Sequence, residues 1–75
     1  MKKYIVYDWF SGDEGGQGVC LANEYKPNFN GFKTDKMGEF DTLIELVDIL
    51  YSNFPDWYTN VQEASNDAIS LWETL

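Results

Sequence analysis

The chain has 75 residues, 44% of them hydrophobic, with 13 acids against five lysines, no histidine, one cysteine and a formal net charge of −8. A single cysteine excludes an internal disulfide, and one cysteine without histidine cannot build a structural zinc site. A chain this short buries only about 60–70% of its unfolded surface, so stability must come from packing, and an aromatic content of 17% can supply it.

The first ten residues, MKKYIVYDWF, combine a basic start with an apolar run. They do not fit a signal peptide, because Asp8 interrupts the run and no small-residue cleavage site follows. No stretch approaches the roughly 20 apolar residues of a membrane span. A cytoplasmic setting is expected, and the lone thiol of Cys20 suits a reducing compartment.

Lys3 to Phe10 reads as a strand, rich in β-branched and aromatic residues. Ile5, Tyr7 and Trp9 share one face, and Tyr4, Val6, Asp8 and Phe10 share the other. Both faces are largely apolar, which suits a central strand. Val19 to Tyr25 is a second strand. Between them lies SGDEGGQG, Ser11 to Gly18, with four of the six glycines. It lacks the GxxxxGK[ST] pattern, a strand follows it rather than a helix, and Asp13 and Glu14 would repel a phosphate. It reads as a hairpin connection, whose flanking strands could take in Gly12 and Gly18.

Pro27 marks a turn or an edge, and Asn30-Gly31 is a tight-turn dipeptide. A short third strand is predicted near Phe32–Thr34, so the sheet has two or three strands. Phe29, Phe32, Met37 and Phe40 are expected to fold back on the core.

Asp41 to Phe54 carries the clearest helical period, with Leu43, Leu46, Val47, Leu50 and Phe54 on one stripe that Ile44, Ile49 and Tyr51 widen. Thr42-x-x-Glu45 matches a capping box, with Asp41 or Thr42 as the cap. Pro55 ends this helix and opens a second one running to Leu75. Trp57, Val61, Ala64, Ala68, Leu71 and Leu75 form its expected seam. Ser65-Asn66-Asp67 are poor helix formers, and a break at Ser65 is an alternative. The predicted architecture is α+β, ββ(β)αα: a small antiparallel sheet from an N-terminal hairpin, packed against two C-terminal helices. Residues 1–75 form one domain, with a β-rich half to residue 40 and a helical, acidic half from residue 41.

Charge is unevenly spread. All five lysines precede residue 37, where Asp8, Asp13, Glu14, Glu24 and Asp35 balance them. From Met37 onward there are Glu39, Asp41, Glu45, Asp48, Asp56, Glu63, Asp67 and Glu73 and no base. Asp41, Glu45 and Asp48 fall on one helical stripe, and Glu63 and Asp67 on another. A one-signed field attracts basic partners and repels acidic ones. It disfavours nucleic acid and anionic membranes as ligands. No nucleophile–base pair, metal-ligand set or cofactor motif stands in the sequence, so a non-enzymatic protein without cofactor or metal is expected.

In size, charge and helix phase the second half resembles the anti-restriction and anti-CRISPR proteins of phages and mobile elements, many of which mimic DNA. The residues carrying this resemblance are the eight acids from Glu39 to Glu73, with Asp13 and Glu14 as extensions of the face. It implies an inhibitor that docks on the basic surface of a nucleic-acid-binding protein. The alternative is an accessory domain that self-associates or binds a partner through aromatics, its acidity serving solubility. Tyr51, Trp57, Tyr58 and Trp72 exceed what two short helices need to cover a small sheet. If exposed, they point to a homodimer or a partner.

Overall fold

A computed structural model describes residues 2–29 and 31–75. Strand β1 (Tyr4–Ser11) is followed by β2 (Glu14–Leu21) and a single 3-10 turn at Ala22–Glu24. Then come a two-residue strand, β3 (Asn28–Phe29), and a nine-residue strand, β4 (Phe32–Phe40). Helices α1 (Leu43–Asn53) and α2 (Val61–Trp72) complete the chain. The antiparallel sheet has the order β2-β1-β4-β3, and the architecture is α+β of the ββ(β)αα kind, with the two-residue β3 as a fourth strand beyond the two or three predicted.

β1 is central, which explains why both its faces are apolar. On one face Tyr4 and Val6 meet the helices; Val6, Phe40, Leu46, Leu50, Tyr58, Ala64 and Ala68 form the buried core. Tyr4, Phe40 and Trp72 pack ring to ring, with centroids 5.4 to 6.1 Å apart. On the other face the segment after β2 crosses from one sheet edge toward the other. Tyr25 lies 6.1 Å from the Tyr7 ring. The Thr34 hydroxyl, buried in β4, donates to the Lys26 carbonyl at 2.7 Å, and the Thr34 N–H donates to Pro27 at 3.1 Å.

The hairpin connection is shorter than the sequence suggests. Register runs unbroken to Ser11↔Glu14, so Gly12 and Asp13 alone make the turn. Gly12 takes φ 62°, a conformation L side chains resist. The second strand is therefore Glu14–Leu21, not Val19–Tyr25, and its glycines have a packing role. A Cβ on Gly18 would stand 2.5 Å from the Tyr7 ring, and one on Gly16 would stand 3.0 Å from the Trp9 ring. Small residues here let two aromatic rings lie flat across the neighbouring strand.

β4 is far longer than the Phe32–Thr34 predicted. Its register with β1 slips between Val6 and Tyr7, since Val6 faces Gly38 and Tyr7 faces Lys36. The extra residue, Met37, resets the alternation. Met37 thus packs against the core, and Phe40 is fully buried. Phe32 instead sits on the opposite face against Trp9, at 5.3 Å. Asn30 and the side chain of Phe29 lie outside the described residues; Gly31 has φ 88°.

Both helices start on the same device. Thr42 Oγ1 accepts the Glu45 N–H at 3.2 Å, and Glu45 Oε1 accepts the Asp41 N–H at 3.1 Å. Thr42, not Asp41, is thus the cap. Asn60 Oδ1 accepts the Glu63 N–H at 3.1 Å, and Glu63 Oε1 accepts the Thr59 N–H at 3.0 Å. This second box starts α2 at Val61, six residues after Pro55. Residues 55–57 form a turn instead, with the Trp57 N–H donating to Phe54 at 3.0 Å. The helix is continuous through Ser65, whose hydroxyl donates back to the Val61 carbonyl at 2.8 Å. Ala64 and Ala68 are buried in the expected seam, but Trp57, Val61 and Leu75 are exposed.

Candidate functional site

The structure gives the acids of the second half unequal roles. Glu39 pairs with Lys36 at 3.4 Å on β4. Asp41 Oδ1 accepts the Lys3 N–H at 2.7 Å, tying the start of α1 to β1. Glu45 closes its capping box and forms an ion pair with Lys2. Glu63 closes the second box and also accepts the Thr59 hydroxyl. Those Thr59 bonds hold its carboxyl below the usual glutamate range. Asp67 Oδ2 accepts the Tyr58 hydroxyl at 2.7 Å. Tyr58 is buried, and burial first, then the bond and charge of Asp67, push its hydroxyl well above the usual phenol range.

Five of the eight carboxylates therefore hold local structure. Asp41 and Glu45 come together at the β4–α1 junction, and Glu63 and Asp67 fasten the segment between the helices. The remaining three, Asp48, Asp56 and Glu73, are exposed. Asp13 and Glu14 are exposed at the hairpin tip. Glu63 and Asp67 do share a stripe of α2, but Asp41 precedes the α1 cap and so leaves the predicted Asp41–Glu45–Asp48 stripe, and spacing alone could not reveal Lys2, Lys3, Tyr58 or Thr59 as partners of these acids.

Asp48 stands within a stripe of exposed apolar residues. Ile44, Asp48 and Tyr51 recur at i, i+4 and i+7 on the outer face of α1, with Ile44 74% exposed. Asp56 precedes Trp57, which is 60% exposed and stacks on Phe54 at 5.3 Å. Of the four surplus aromatics, Tyr58 is buried and Trp72 half-buried, while Tyr51 and Trp57 reach solvent. An apolar stripe edged by carboxylates can bind a surface that offers both apolar and cationic groups.

A second feature is the outer edge of β2, which no strand among the described residues covers. At its Leu21 end a cleft of about 480 Å³ opens, lined by Lys3, Val19, Leu21, Glu24 and Leu75 among others. Cys20 also borders it, half-buried, its thiol pushed up by burial and then by the charge of Glu24. That environment suppresses the thiolate that a nucleophile needs. Among the described residues, no group of three or more His, Cys, Asp or Glu is placed to hold a metal ion. Among the same residues, no helix is long and apolar enough to cross a membrane. No protein-family model matches the chain, and neither a curated protein nor a solved structure matches it significantly.

Proposed function

We propose that the protein is a non-enzymatic, cytoplasmic binding protein that docks a negatively charged surface on a basic, nucleic-acid-binding partner protein. An inhibitor of the DNA-mimic or anti-defence type fits this description. The observation that carries the reading is the distribution of charge: eight acids and no base after residue 36. Such a surface steers basic partners toward it and rejects nucleic acid itself. The binding role falls chiefly to Asp48, Asp56 and Glu73, because these carboxylates are exposed and, among the described residues, serve no cap, ion pair or tyrosine hydroxyl.

A pull-down from a bacterial lysate on the immobilised chain, read by mass spectrometry, tests the proposal. Basic nucleic-acid-binding proteins should be recovered at low salt and lost as salt rises. The triple variant D48N/D56N/E73Q should lose them while keeping its fold. Equal recovery by that variant would sink the proposal.

The exposure of Ile44 and Trp57 favours a second reading. In it the chain is an accessory domain that self-associates or binds a partner through these side chains, its acidity serving solubility. Binding that survives high salt but fails in I44S/W57S would select it.

A further inference from the structure

The two edges of the sheet are built differently. The β3 edge is guarded in the ways sheets avoid unwanted pairing. β3 has two residues, Pro27 precedes it, Lys26 and Lys33 flank it, and β4 behind it is bulged at Met37. The β2 edge has none of these guards. It is eight residues long, in unbroken register with β1, and contains neither lysine nor proline.

Which backbone groups it offers follows from the hairpin. Ser11 and Glu14 flank a two-residue turn, so they form a hydrogen-bonded pair, and such pairs alternate along the ladder. The bond from the Ala22 N–H to the Lys3 carbonyl, 2.9 Å, falls on the same alternation. Gly16, Gly18 and Cys20 therefore turn their N–H and C=O groups toward β1. Gly15, Gln17, Val19 and Leu21 turn theirs outward, where no other strand of the described residues lies.

A second copy of the chain is a poor occupant. Antiparallel pairing of two β2 edges has its twofold axis normal to the sheet, which places both α2 helices side by side on one face. α2 is the helix that contacts β2. It and its C-cap carry Glu63, Asp67 and Glu73 and no base, so two copies would set like charges against each other. The same carboxylates favour a basic strand. The cleft at the Leu21 end, lined in part by Val19, Leu21 and Leu75, can take an apolar side chain.

The geometry points to the outer edge of β2 as a docking site for an extended, lysine- or arginine-bearing segment of a partner protein, added to the sheet as a further strand. Backbone hydrogen bonds to Gly15, Gln17, Val19 and Leu21 hold the segment. Its basic side chains meet the α2 carboxylates, and an apolar one enters the cleft. The inference rests on the basic-partner reading above and adds to its exposed carboxylates a second contact, shared only through Glu73.

Amide hydrogen exchange of the full chain, with a short capped peptide of alternating valine and lysine, tests the site. Exchange at Gly15, Gln17, Val19 and Leu21 should slow by at least about tenfold on saturation. The same peptide N-methylated at every amide should have no effect. Gln17→Pro removes one outward N–H and leaves the β1 ladder intact, so it should weaken binding at least about tenfold. If that variant fails to fold, the N-methylated peptide decides. A bound valine–lysine peptide that leaves the four amides unchanged overturns the site. Protection of those amides in the chain alone, with a dimer by sedimentation, overturns the occupant. An alternating valine–serine peptide that protects them equally at about 0.5 M salt leaves the edge standing and removes the basic partner. A lysine peptide that perturbs only Asp48 and Asp56 removes the edge and leaves the acidic surface.

Discussion

The sheet half and the helical half solve the problem of a small chain in different ways. The sheet half is nearly charge-balanced, with five lysines against six acids, covers one face of β1 with its own segment after β2, and relies on aromatic rings laid over glycines. The helical half, from Asp41 onward, holds seven acids and no base and turns four of the seven, Asp41, Glu45, Glu63 and Asp67, to structural use. The contrast teaches that charge excess and structural employment are separate properties. A strongly acidic segment can be one-signed as a field while most of its carboxylates act as local fasteners.

The first way to break this comparison is through the core that joins the halves. Leu50 is fully buried on α1 in the cluster that includes Val6 and Phe40. Leu50→Ala should cost about 2–5 kcal/mol in urea unfolding. Far-UV circular dichroism and tryptophan fluorescence should move together. Two separated transitions would show that the halves fold independently.

The next effect belongs to the sheet. Gly18→Val should cost about 1–3 kcal/mol, because the new side chain must displace the Tyr7 ring. The melting temperature should fall by several degrees. No change would show that the glycines of β2 are not there to accommodate aromatics.

A smaller effect sharpens the helical side. Asn60→Ala should cost about 0.5–2 kcal/mol through loss of the cap, whereas Asp48→Asn should stay within about 0.5 kcal/mol. Equal losses in thermal melts would erase the distinction between employed and free polar groups.

The mildest probe is pH. The Glu63 carboxyl is lowered in the folded chain. Its contribution to stability is fully present above the ordinary glutamate value, and it fades as pH falls through the lowered one. Glu63→Gln should flatten that part of an acid unfolding curve. At the other extreme Tyr58 is raised. Its contribution is fully present below the ordinary tyrosine value and is lost as pH rises through the higher one. Phenolate absorbance should show Tyr58 ionising above the ordinary tyrosine value, and Asp67→Asn should lower that step.

Sequence patterns revealed some of this and hid the rest for physical reasons. α1 was legible because a strict apolar period and a capping box agree. The start of α2 was not, since Pro55 suits a helix start and a turn equally, and Asn60-x-x-Glu63 competes with it. β4 was hidden by Lys33, Asp35, Lys36 and Gly38, which give a polar strand little periodic signal, and by the bulge that resets its alternation. The glycines of β2 read as loop, because only the paired strand shows which rings they accommodate. The acids were legible as charge. Their separate roles depend on partners distant in sequence, such as Lys3 for Asp41.

The three tryptophans sample three settings. Trp9 lies over Gly16 of β2, Trp72 packs on Tyr4 and Phe40, and Trp57 projects into solvent beside Asp56. The molecule therefore carries its own optical reporters. Caesium, a cationic quencher, should gather near Trp57 and dim it more than iodide does, while Trp72 stays bright. A segment settling along β2 would register first in the emission of Trp9.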